Sequence, residues 1–138
     1  MNEDESLRRY GLRPSAEDLQ QVRELLKTHA TLERQRQGDG DTELMKLSCV
    51  QLFMVGDLGD VLTIWQAKTS GWDAHCSIDV QLLCGAGLEE TKAYLAAMDP
   101  GDASAALDHL TACEAAGDFT DFSVQTQTRW YAEYYQLP

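Results

Sequence analysis

Apolar residues in this chain recur every three to four positions, and nowhere do they alternate over a sustained stretch. Leu19, Val22, Leu26 and His29 fall at i, i+3, i+7 and i+10, which is one stripe along a helix. Val, Ile and Thr are scattered too widely to build a sheet. The pattern therefore predicts an all-α fold. With 138 residues, 43% of them apolar, the chain is long enough for one real core and too short for two. Residues 1–13 read as a flexible lead-in, pinned at Tyr10 and Leu12, and residues 14–138 as a single all-helical domain.

About seven helices are expected. Ser15 caps the first, which runs to about residue 37 with Glu17 and Asp18 in its first turn. The second, over 42–55, is apolar nearly all round from Leu47 onward and should be central. A third follows over 58–68 and a fourth over 74–84. The fifth covers 88–98. The sixth covers 102–116, with Asp102 as its cap and Gly117 just past its end. Ser123 caps a seventh over 124–136. Cys49, Cys76, Cys84 and Cys113 show no C-x-x-C spacing and read as reduced core residues. The other assignment is a zinc site built from Cys76, Cys84 and Cys113 with His75 or His109.

The helix breaks fall at Gly56, Gly87 and Gly117, spaced by 31 and 30 residues. Spacings in this range belong to stacked helical hairpins, which bury their apolar faces only against neighbours. The units at Gly56 and Gly117 share Gly-Asp-(Leu/Phe)-x-Asp. The stretch Gly56-x-Leu58-x-x-Val61-x-x-Ile64-Trp65 resembles the second half of an ankyrin unit, and Gly87-Leu88 through Leu95 is similar but one residue out of phase. The likeness extends over about residues 44–122. The Thr-Pro-Leu-His that opens an ankyrin unit is absent; Ser48-Cys49-Val50 and Ser77-Ile78-Asp79 stand in its place, so the projecting fingers of that family are not implied. An ankyrin-like stack of antiparallel hairpins and an irregular helical bundle both remain open. The resemblance implies protein binding on a concave face rather than catalysis.

Charge narrows the partners. Residues 1–37 hold seven bases and seven acids; residues 38–138 hold four bases and sixteen acids, so the whole net charge of −12 lies there. Between Lys92 and Arg129 there are six acids and no base. Such a surface repels phosphates, which speaks against nucleic acid and anionic membranes, and it attracts a basic protein partner. The same charge also serves simply to keep a protein in solution. No run approaches the ~18–20 apolar residues of a membrane span. The acidic start, Met1-Asn2-Glu3-Asp4-Glu5, resembles neither a secretory signal nor a transit peptide, so a cytoplasmic location is expected.

The candidate partner-binding residues are Asp57, Asp60, Trp72, Asp73, Asp118 and Asp121. The aspartates cluster at helix starts, where they cap free N–H groups and also leave charge exposed. Trp72 either lids the core or stands out as an interaction anchor. The run Trp130-Tyr131-Ala132-Glu133-Tyr134-Tyr135 either docks the last helix or offers an aromatic patch to another copy of the chain. No G-x-S-x-G, H-E-x-x-H, P-loop or G-x-G-x-x-G is present, and no cofactor is expected. A triad of Cys76, His109 and an Asp rests on residue types alone. The expectation is a non-enzymatic binding protein, comparable in size and charge to immunity or antitoxin-like inhibitors. The alternatives are a self-associating structural subunit and a small hydrolase or metal-dependent enzyme.

Overall fold

A computed structural model describes residues 1–135. Among them the chain is all-helical, with eight α-helices and two 3-10 turns. The helices are α1 (Glu3–Tyr10), α2 (Ala16–Gln35), α3 (Thr42–Val55), α4 (Val61–Lys68), α5 (Trp72–Ser77), α6 (Leu88–Ala96), α7 (Asp102–Ala115) and α8 (Val124–Tyr134); the 3-10 turns are Leu58–Asp60 and Val80–Cys84. None of the helices is long and apolar enough to cross a membrane.

The core is organised around α3. Nine consecutive or near-consecutive residues of this helix, from Leu44 to Phe53, are buried, including the polar Ser48 and Gln51. A helix apolar all round has to be covered on every side. Here α1, α2, α5 and the turn Val80–Cys84 pack around it, while α4 bridges α2 and α7, and α6 packs on α7. Helix α2 gives α3 a single stripe, Leu19, Val22, Leu26 and Ala30, as its periodicity requires. Ser15 accepts a hydrogen bond from Asp18 N–H, and Ser123 accepts one from Thr126 N–H, so both predicted caps are in place.

The predicted lead-in is a helix. The Asn2 side chain accepts from Glu5 N–H at 2.9 Å and starts α1, which buries Ser6 and Tyr10. The Gln51 amide, inside α3, donates to the Gly11 carbonyl at 2.8 Å and ties the end of α1 to the core. Leu7 and Tyr10 are the only large apolar residues of α1, too few for a stripe to show.

The predicted helix over 74–84 is broken in two. Lys68, 5% exposed, donates its ammonium protons to the carbonyls of His75 and Ile78. Those carbonyls are thereby satisfied without continuing the helix, and the chain turns at Ile78 and Asp79 before the 3-10 turn begins. The predicted third helix likewise opens with a 3-10 turn. Asp102 is the first residue of α7 rather than its cap; Gly101 precedes it and supplies no side-chain bond.

Two glycines let α3 meet the Val80–Cys84 turn backbone to backbone. Gly56 ends α3 at φ +76°, and a Cβ there would sit 2.8 Å from the Gly85 carbonyl oxygen. A Cβ on Gly85 would sit 2.6 Å from the Phe53 carbonyl oxygen. The glycine at the first hinge thus serves close approach as well as left-handed geometry.

Candidate functional site

The six candidate residues fall into three stretches: Asp57 and Asp60 before α4, Trp72 and Asp73 at the start of α5, and Asp118 and Asp121 after α7. Asp57 and Asp60 lie against α2. Asp60 is buried, and Arg23 holds both of its oxygens. Asp57 is exposed; it accepts from Gly59 N–H at 2.8 Å and stands 3.7 Å from Arg23. Asp60 is therefore a structural ion-pair partner, a correction to its assignment as a partner-binding residue. Burial of its carboxylate is compensated by the protein's own arginine.

The other four residues are exposed. Trp72 opens α5 and is 68% exposed, so it does not lid the core. Its backbone N–H donates to the Gln37 side chain at 3.2 Å. Asp73 follows it on the surface. Asp118 lies just beyond α7, where Gly117 ends the helix and the Asp118 N–H bonds to the Cys113 carbonyl at 3.0 Å. Its own carbonyl accepts from the Gln81 side chain at 2.7 Å. Asp121 is the one non-glycine residue with positive φ among those described.

Helix α5 and the C-terminal half of α7 face each other across an open depression of about 410 Å³, lined by Lys68, His75, Cys76, His109, Cys113 and Asp118 among others. The His75 and His109 rings lie 5.5 Å apart, and His109 also packs 5.4 Å from the Trp65 ring. Cys113 Sγ sits 3.5 Å from His109 Nε2. Burial, and then the Lys68 ammonium, hold both imidazoles below their ordinary value. Burial also lowers Lys68, against the pull of Asp79.

Within this cluster Cys113 is not tuned for nucleophilic attack. Burial pushes the Cys113 thiol up, and Asp118 pushes it further, the reverse of an activated thiolate. Cys84 is pushed up to about 12 by burial, and Cys49 is raised as well. All four cysteines are free; Cys49 and Cys84 are buried, Cys113 is half-buried and Cys76 is exposed, so the reading of all four as core residues fails at Cys76. Cys84 is not part of the depression, which separates it from the other members of the zinc set considered above. Among the described residues, no three His, Cys, Asp or Glu side chains are grouped as a metal ion needs.

Sequence reasoning missed the pairing of His109 with Cys113. Their i, i+4 spacing on α7 was the available signal. The approach of His75 to His109, contributed by two different helices, had no such signal.

The arrangement defines a small all-α protein with a shallow, imidazole-lined depression, of whose lining Asp118 is the one candidate residue. No family model, curated protein or solved structure matches this chain.

Proposed function

We propose that this chain is a non-enzymatic binding module whose exposed carboxylates mask a basic partner protein, as immunity or antitoxin-like inhibitors do. One observation supports this reading most directly. Trp72, Asp73, Asp118 and Asp121 are exposed, and no cation stands within ion-pair distance of these three carboxylates among the described residues. An exposed tryptophan next to the unpaired Asp73 suits a surface that anchors by burial and steers by charge.

The test takes a basic protein captured at low salt from cells of the chain's own source, purifies it and measures binding kinetics. Replacing Asp73, Asp118 and Asp121 by Asn together slows association by about tenfold at low salt and leaves dissociation nearly unchanged. Trp72→Ala speeds dissociation. An association rate that is the same at low and high salt and in the triple variant overturns the proposal. If the partner is toxic, co-expression of this chain relieves the toxicity.

A second reading has its own observation. On α8, Trp130 and Tyr134 are exposed and stack with ring centroids 5.5 Å apart, while Tyr131 is fully buried. The outward pair suits contact with a second copy of the chain. Light scattering separates the two readings: the first expects a monomer, the second a defined oligomer.

A further inference from the structure

A groove of about 470 Å³ runs between α2, α4 and the start of α7. Helices packed side by side normally meet through apolar side chains, yet this join is polar. Lys27, Thr31 and Arg34 line the α2 wall, and Thr63, Gln66 and Thr69 line the other. Lys27, Thr31 and Arg34 are spaced four and three residues apart, so they share one face of α2 in the order cation, hydroxyl, cation.

Arg34 is held in place by neutral acceptors. Its Nη2 donates to the Gln66 carbonyl at 2.8 Å and contacts Thr69 Oγ1 at 3.5 Å. Its remaining donors have no partner among the described residues. Lys27 and Arg34 make no ion pair among the described residues, although Asp102 lines the same groove. The Asp102 carboxylate instead accepts from Gln66 Nε2 at 3.2 Å. The Thr31 and Thr63 hydroxyls likewise make no hydrogen bond within the described residues, which leaves two donors free on opposite walls.

We propose that this groove binds a small phosphate-bearing molecule. A guanidinium held in advance by the protein, an ammonium on the same helix face and two free hydroxyls supply the donors a phosphate dianion needs. The chain's overall negative charge does not forbid this, because screening confines the field of distant carboxylates to about 8 Å at physiological salt. Among the residues that line the groove, two cations stand against one carboxylate. This proposal does not depend on the binding of a basic partner.

The experiment follows backbone amide shifts of the full chain while inorganic phosphate, or glycerol phosphate, is titrated against chloride at constant ionic strength. Saturable shifts centred on Thr31, Arg34, Thr63, Gln66 and Thr69 are expected. Arg34→Gln and Lys27→Gln each weaken binding, Arg34→Gln by at least about tenfold. Asp102→Asn tightens it several-fold by removing the one like charge. Tighter binding of glycerol phosphate than of phosphate identifies an ester site; equal binding identifies a site for the free oxyanion. Shifts that rise linearly with concentration, or that are unchanged in the Arg34→Gln and Asp102→Asn proteins, overturn the proposal. The same spectra report whether each variant is folded.

Discussion

Arg23 grips Asp60 with both arms of its guanidinium, Nε to Oδ1 at 2.7 Å and Nη2 to Oδ2 at 2.9 Å. The pair joins the middle of α2 to the turn that opens α4, and Asp60 is 5% exposed. Hydrogen bonding to Asp60 raises the guanidinium further above its ordinary value. Removing one member leaves the other charge in a poorly solvated place. Asp60→Ala should therefore cost about 3 kcal/mol, read as a drop in the urea midpoint. Asp57→Ala, at an exposed site with only a 3.7 Å approach to Arg23, should cost less than about 1 kcal/mol. Equal losses at the two positions would contradict this division of roles.

Gly56→Ala places a Cβ at positive φ and against the Gly85 carbonyl. The left-handed conformation alone costs about 1–2 kcal/mol, and the close approach adds to it. A loss above about 2 kcal/mol in chemical denaturation is expected. Gly38→Ala makes a useful control, because its φ is +100° but nothing lies within 4 Å of the added carbon. Its loss should be the smaller of the two.

Stability should fall with acid through the histidine pair. His75 and His109 are held below their ordinary value of 6.5 in the folded chain. The unfolded chain then binds protons first as pH drops, so the folded state loses stability below about pH 6.5 and this contribution is constant above it. Replacing both histidines by Gln should flatten the slope of unfolding free energy between pH 7.5 and pH 5.5. The comparison with the parent chain cancels the general relief of charge repulsion. Parallel slopes in the two proteins would show that the pair is not the sensor.

The tyrosines of α8 should separate by role. The Tyr131 hydroxyl donates to Asp79 Oδ2 at 2.7 Å from a fully buried ring. Tyr131→Phe should cost about 2 kcal/mol, since the bond ends on a charged acceptor. Tyr134→Ser and Trp130→Ser, on the exposed side, should leave the denaturation midpoint nearly unchanged. Any effect they have should appear in light scattering instead. A stability loss at Tyr134 as large as at Tyr131 would show that the stacked pair is part of the core.

Helix type and most boundaries were legible because they are written locally. The stripe of α2, the serine caps and the all-round apolarity of α3 each rest on residues within a few turns of one another. The misses were set by distant residues. Nothing near Ile78 announces that Lys68 takes the carbonyl groups at the end of α5. Nothing in α1 reveals that Gln51 reaches back to Gly11. For the site, exposure of Asp73 and Asp118 followed from charge and position. Asp60 was misplaced because its partner, Arg23, is 37 residues away. The groove beside Arg34 went unseen for the same reason, its two walls belonging to separate helices.

Glu33 is buried on α2, and its Oε1 accepts from the backbone of both Gly38 and Gly40 at 3.0 Å. Gly71 packs against the same side chain, with Trp72 immediately after it. One carboxylate thus sets the seat of the most exposed aromatic ring. An alteration at Glu33, itself buried, would be felt at the surface as a change in where Trp72 stands.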